Sequence, residues 1–266
     1  MESVRGKVVV ITGASAGIGA ATARALSMVG GRPVLVARRE RELREVAAEC
    51  GHEALPVVAD VTLRSEVQRA FDSAIAHHGH VDVWINNAGR GISRLTSELT
   101  DDDFDEIMLV NVKSALYGVQ AVLPHFQTRG HGHIINVSSM LGRVPFAPIR
   151  SVYCAAKHAL NALTSTLRQE LRASYPNIHV TTVSPGVVAT DFGLNALGGG
   201  VDSRQLPGAQ PVEEVAEVIL DVIAHPHADV YTRPGMRERV AAYYAAEDMA
   251  VNESAMTLQL PRPDPR

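Results

Sequence analysis

Lysine is almost missing from this chain of 266 residues: Lys7, Lys113 and Lys157 are the only three, and arginine carries nearly every other positive charge. Cysteine is scarcer still. Cys50 and Cys154 lie far apart and form no CxxC, which excludes a disulfide framework and a thiol redox motif and fits a reducing compartment. The formal net charge is -4 and no basic run stands out, so nothing calls for nucleic acid. No apolar stretch stands out as long enough to span a bilayer, and only a short polar lead precedes the apolar run 7–11, with no signal-peptide pattern. The expectation is a cytoplasmic protein with no membrane partner. Histidines cluster at His77-His78-His80, His131-His133 and His225-His227, but no matching third ligand is evident, so no metal site is expected. Internal repeats and linkers are also missing, and with 46% hydrophobic residues the chain can bury one large core.

What is present is alternation. Short, β-branched runs at 7–12, 32–37, 54–59, 81–86, 133–138 and 178–183, with a last short one at 229–233, read as strands. They are nearly all apolar, as expected when both sheet faces are covered. Between them, 18–29, 40–50, 63–78, 101–127, 152–175 and 212–224 read as helices, and 236–250 as one more. Regular β-α alternation predicts a single-domain α/β fold, a doubly wound parallel sheet of about seven strands with helices on both faces. Residues 1–233 form its body. Residues 234–266, a helix and a proline-rich end expected to fray, belong to the same domain or to an oligomer contact. The glycine-rich stretch 191–210 reads as a long loop of the kind that lids a site.

The segment "TGASAGIGAATA" joins the first strand to the first helix and spaces Gly13, Gly17 and Gly19 as G-x-x-x-G-x-G. Glycine permits the tight turn and clears side chains from a diphosphate, while the helix start offers unpaired N–H groups and a positive dipole end. A dinucleotide site that takes NAD places a carboxylate about twenty residues further on, against the ribose hydroxyls. Here that place reads Arg38-Arg39. A guanidinium fork suits a 2′-phosphate, so NADP(H) is the preferred cofactor, with NAD(H) as the alternative. The other use of two arginines is as surface charge, but cations at a helix start oppose the dipole.

In "SVYCAAKHAL", Tyr153 and Lys157 are four apart and share one helix face. Reducing a carbonyl needs a proton donor, and a free phenol, with a pKa of about 10, holds its proton too tightly for easy exchange near neutrality. A nearby ammonium favours phenolate, so Lys157 is expected to lower the Tyr153 pKa toward the range of an acid–base catalyst. Taken alone, the pair is an ordinary helix-surface pair. Ser138 and Ser139 close the fifth strand, where open α/β sheets bind ligands, and only one of the two can face a site. Its hydroxyl would donate to a developing alkoxide. Asn111 lies in an apolar helix, where an amide needs partners.

Seven motifs stand in one consistent order: "TGASAGIG" (12–19), "DVT" (60–62), "NNAG" (86–89), "NVKS" (111–114), "INVSS" (135–139), "YCAAK" (153–157) and "PGVVAT" (185–190). As an ordered set spanning roughly residues 5–233, they resemble the short-chain dehydrogenase/reductase family. The resemblance implies a Rossmann-type sheet, a nicotinamide cofactor and hydride transfer between a carbonyl and an alcohol. It implies cofactor contacts from Ser15 and Ile18 beside the glycines, from Asp60 and Val61 near the adenine, and from Asn87, Ala88 and Gly89. Pro185 and Gly186 would join them, with Val188 and Thr190 on the carboxamide. It also implies that Tyr153 is catalytic, that Lys157 bonds the cofactor ribose, and that Ser139 rather than Ser138 is the catalytic serine. Asn111 would hold a water linking Lys157 to solvent. Pairing into homodimers or homotetramers through the helices of Asn111 and Tyr153 is implied as well.

Substrate-pocket candidates follow from motif position: Arg90 and Ile92, then Met140, Leu141 and Phe146, then Phe192 and Leu194, together with Ser139 and Tyr153. Most are apolar, which suggests a hydrophobic small carbonyl compound. Two rivals stand beside this expectation. One is a 3-oxoacyl-acyl-carrier-protein reductase, from whose compact ending the segment after residue 233 departs. The other is a non-catalytic NADP-binding regulator, which would have no need of Ser139, Tyr153 and Lys157 together.

Overall fold

β-branched side chains pack well on a pleated surface, and they dominate the runs that form the sheet. In the computed structural model, which describes residues 2–257 and residue 260, these runs are β1 (Val8–Thr12), β2 (Arg32–Ala37), β3 (Leu55–Val58), β4 (Val83–Asn86), β5 (Gly132–Val137), β6 (Ile178–Ser184) and β7 (Asp229–Tyr231). All neighbours pair in parallel in the order β3-β2-β1-β4-β5-β6-β7. This is the Rossmann-like doubly wound sheet that the alternation predicts. β1, β4 and β5 are buried along their whole length because helices cover both faces.

α1 (Gly17–Met28), α2 (Glu40–Cys50) and α7 (Val212–Ala224) close one face around Leu26, Leu35, Ile85 and Ile219. α3 (Arg64–His78), α5 (Ser114–Arg129) and the end of α6 (Ser151–Leu171) close the other around Trp84, Phe126, Ile134 and Leu171. Strand order reverses between β1 and β4, and their carboxyl ends open the crevice where such sheets bind ligands.

Three expectations need correction. The helix expected over 101–127 is α4 (Asp101–Met108), a π-helical turn Leu109–Lys113, and then α5. Thr100 caps its start by accepting from the Asp103 N–H at 3.1 Å, which explains the acidic cluster there. Second, the run Asp101–Arg129 is long and apolar enough to cross a membrane by length and composition. Its acidic start and Pro124 hide this in the sequence. Half of its apolar window is buried inside the protein, as in a core helix. Third, the single helix expected over 236–250 is two, α8 (Met236–Tyr244) and α9 (Met249–Met256). Asp248 divides them, because its carboxylate accepts from the Ala250 N–H at 2.9 Å and starts a new helix.

α8 lies against the site's rear. Tyr244 donates to the Arg143 carbonyl at 2.7 Å, and a Cβ at Gly186 would meet Met236 Cε at 2.6 Å. The proline-rich end lies almost wholly outside the described residues. The 191–210 stretch folds back on itself: Arg204 reaches Asp191 and Asp202, and the Gly193 N–H donates to Ser203 Oγ at 3.1 Å.

Candidate active site

The crevice at the β1–β4 switch is a cleft of about 550 Å³. One end is built by the glycine turn. Gly13 has φ +69, in the left-handed region, and a Cβ there would lie 2.9 Å from Ala88 Cα. The turn delivers the chain into α1, whose first turn no side chain caps. Its unpaired N–H groups therefore remain for an anion. Ser15, Gly17 and Ile18 line this end, with Arg38, Arg39, Asp60 and Val61 beside them. Arg39 donates to Ser15 Oγ at 3.1 Å, and Arg38 lies 3.5 Å from Asp60. The Arg38 side chain is 65% exposed, so that ion pair is weak and leaves its fork available. Partial burial raises the Asp60 carboxyl, but hydrogen bonds from Thr62 and the Arg38 charge more than reverse this and hold it below its ordinary value. The uncapped helix start, the glycine cradle and the arginine pair fit a dinucleotide phosphate in chemistry and room.

The cleft's floor is the end of β4. Thr12 Oγ1 accepts from the Asn87 and Ala88 N–H groups at 3.0 and 3.1 Å, and Asn87 donates to the Thr12 carbonyl at 2.8 Å. Asn87 thus fixes the two strand ends against each other, while Ala88 and Gly89 line the cleft with it. Pro185, Gly186, Val188 and Thr190, after β6, form the opposite wall.

At the far end stand Ser139, Tyr153 and Lys157, all lining the cleft and all buried. Their placement separates the two serines. Ser138 donates to the Lys157 backbone carbonyl at 3.4 Å, back into α6, whereas Ser139 lies beside the Tyr153 phenol. Ser139 Oγ already accepts from the Leu141 N–H at 3.1 Å, which leaves its O–H free to donate. Lys157 Nζ donates to the Val137 carbonyl at 2.9 Å and sits 5.7 Å from the Tyr153 ring centre. Leu141, Phe146 and Phe192 wall this end, and the Tyr153 and Phe192 rings are 5.4 Å apart.

The electrostatics run against one expectation: the net shift of the Tyr153 phenol is upward. Burial dominates and pushes Tyr153 up to about 12, and the groups that pull the other way are the Ser139 hydroxyl and the Arg150 guanidinium. The same burial pushes Lys157 down to about 8. Spacing in the sequence puts the two groups on one face but carries no information on how dry that face is.

Four expected residues do not line the cleft. Gly19 does not line the cleft; it is a packing glycine, where a Cβ would lie 2.6 Å from the Gly13 carbonyl. Asn111 is 1% exposed; Nδ2 donates to the Arg90 and Ile107 carbonyls at 2.9 Å, and Oδ1 accepts from the Arg90 N–H at 3.3 Å. These bonds pin the loop after β4 to the π turn, and Asn111 Oδ1 and Lys157 Nζ both border Gly89, 2.8 and 3.6 Å from where a Cβ there would lie. Ile92 is a core residue, and Leu194 is exposed and off the cleft. Arg90 and Met140 do line it, Arg90 being paired with Glu106. Sequence reasoning missed Arg150, which lines the cleft at 5% exposure. Its signal was its place three residues before Tyr153, on the same helix face.

Comparison with known proteins agrees with this fold. The family model for short chain dehydrogenase matches residues 7–196. An uncharacterised oxidoreductase of Staphylococcus saprophyticus is 42% identical over 193 residues, 72% of this chain and 78% of the relative. A short chain dehydrogenase/reductase of Burkholderia phymatum, solved in complex with NAD, matches all of this chain and 99% of its own at 27% identity and a TM-score of 0.85. An alcohol dehydrogenase of the archaeon Thermococcus sibiricus, solved with 5-hydroxy-NADP, covers 84% of this chain and 94% of its own at 29% identity and a TM-score of 0.74.

The buried lysine has a consequence for stability. Between pH about 8 and its ordinary 10.5, the unfolded chain keeps a proton that the folded protein has lost, so Lys157 makes stability rise with pH through that window. Urea midpoints of the wild type and Lys157→Met, compared across the window, are expected to shift in favour of the wild type as pH rises; a constant difference would contradict the burial of the charge.

Proposed function

The chain belongs to the short-chain dehydrogenase family, an oxidoreductase family, and from that premise we propose that it interconverts a carbonyl compound and an alcohol using NADP(H). The carrying observation is convergence: Ser139, Tyr153 and Lys157 meet at one end of a cleft whose other end is an uncapped helix start flanked by Arg38 and Arg39. When bound, the cofactor supplies or accepts the hydride. Gly13, Gly17 and the α1 N-terminus would hold its diphosphate, Arg38 and Arg39 its 2′-phosphate, and Lys157 its ribose, with Val188 and Thr190 left for the carboxamide.

The chain's own residues handle the proton. Ser139 donates to the carbonyl oxygen and fixes its direction. Tyr153, fully protonated at neutrality, gives its proton to that oxygen as negative charge develops on it. In the alcohol-oxidising direction the same phenol would act as the base after losing its proton, a loss that burial opposes. Leu141, Phe146 and Phe192 exclude water from the reacting carbon and accept an apolar substrate body. Phe104, Leu116 and Leu163, large apolar side chains exposed on α4, α5 and α6, support a homo-oligomer built through these helices.

Tyr153→Phe is expected to bind NADPH normally and to lose turnover by about 10²–10⁴-fold, as removal of a general acid does; unchanged turnover removes the mechanism. Arg38→Ala is expected to weaken NADPH by about tenfold or more while leaving NADH nearly unaffected, measured by fluorescence titration; equal losses would show that the arginine does not read the 2′-phosphate. Sedimentation velocity is expected to give a dimer or tetramer, and a lone monomer at micromolar concentration would refute the assembly.

A further inference from the structure

Arg150 has a position that the proposed reaction leaves unexplained. It is the residue before α6, it is 5% exposed, and it lines the substrate end of the cleft beside Phe146 and Ala147. Its Nη1 donates to the Ile92 carbonyl at 2.9 Å and to Ser93 Oγ at 3.2 Å. Both hydrogens of that nitrogen are then used. Nε and Nη2 have no hydrogen-bond partner among the described residues, and no carboxylate among them pairs with the guanidinium.

A buried cation without an anion is costly, and proteins ordinarily supply the counter-charge. The other arginines of the cleft obey this rule or reach solvent: Arg90 pairs with Glu106, and Arg38 with Asp60. Lys157 is also buried without an acid, but the proposed function gives it the cofactor ribose. Arg150 has no such use. It stands on the face of α6 that carries Tyr153, one helical turn earlier, and a Cβ at Gly91 would touch both its Nη1 at 3.2 Å and Phe192 Cε1 at 2.8 Å. It therefore belongs to the wall that faces the substrate and lies away from the diphosphate end.

We propose that Arg150 binds a carboxylate of the substrate, so that the reacting compound is an oxo acid, or its hydroxy acid, with an apolar body. This rests on the carbonyl–alcohol assignment above for the place of the reacting group. The carboxylate fills the free side of the guanidinium, where charge-assisted hydrogen bonds are strongest, and the carbonyl reaches Ser139 and Tyr153. Phe146 and Phe192 take the carbon chain. The pocket is thus selective at its charged point as well as apolar, and a neutral ketone of equal size leaves Arg150 unpaired.

The test is a pair of probes matched in shape and different in charge: hexanoate and hexanamide, titrated calorimetrically into the full chain with and without NADP+. The wild type is expected to bind hexanoate about tenfold or more tighter than hexanamide. Arg150→Met is expected to abolish that preference, and Arg150→Lys, which keeps the charge but not the fork, to retain part of it. Equal affinities in the wild type, no measurable hexanoate binding, or a preference that survives in Arg150→Met would each overturn the proposal. So would an equal loss for both probes in Arg150→Met, which would make the residue only a strut for Ile92 and Ser93. If Arg150→Met does not fold, the wild-type ratio and Arg150→Lys decide. Failure of NADP+ to bind would count against the proposed function alone, because the probe ratio is read without cofactor as well.

Discussion

A phenol and two cations are buried at the start of α6, Arg150 just before the helix and Tyr153 and Lys157 within it, with no carboxylate among the described residues to offset them. Arg150, Tyr153 and Lys157 stand at positions i, i+3 and i+7, each less than a tenth exposed. An arrangement of this kind does not hold itself together, since desolvation opposes every charge in it. What holds it is the backbone around it. The Val137 carbonyl takes the Lys157 ammonium, the Ile92 carbonyl takes the Arg150 fork, and the ring of Phe192 covers the tyrosine. The result is a buried corner of the cleft with surplus positive charge beside a protonated phenol. Such a place favours an oxygen atom that is acquiring negative charge.

The rest of the fold serves to bring that pocket against the glycine turn and the uncapped start of α1. β1 and β4 adjoin at the reversal of strand order, and their ends can approach closely only because Gly13 has no side chain against Ala88 and Gly19 none against Gly13. Thr12 ties the junction by accepting two N–H groups from the β4 end and donating to the Ile85 carbonyl at 3.2 Å. Below it, Trp84, Asn86, Asn136 and Thr164 form a continuous chain of buried hydrogen bonds that links β4, β5 and α6. A buried network of this type rigidifies β4, β5 and α6 against one another.

The fold was legible because its signals are local and repeated. α2 and α7 have the bounds that apolar periodicity gives, and all seven strands lie where β-branched runs stand. The site was legible as a set of residues, since motif order placed the glycine turn, Ser139, Tyr153 and Lys157 at one crevice. Energetics were not. Burial of α6's first turns reverses the expected effect on Tyr153, and no spacing rule reports burial. The π turn at Asn111 is a change of hydrogen-bond register that no residue type marks. Arg150 looked like one more arginine in a chain full of them, and only three-dimensional placement shows that it lacks an acid. The break before α9 did have a signal, Asp248, but an aspartate inside a helical pattern is easily passed over as surface charge.

The central claim is geometric: one cleft seats a dinucleotide with its nicotinamide at Tyr153 and its adenosine phosphate at the arginines. A crystal structure of the protein with NADP+ tests it most directly. The account predicts density for the diphosphate at the start of α1, the 2′-phosphate against Arg38 or Arg39, and the nicotinamide ring beside Tyr153 and Ser139. Density showing the dinucleotide reversed, with adenine beside Tyr153, or an empty cleft at saturating NADP+, would contradict it.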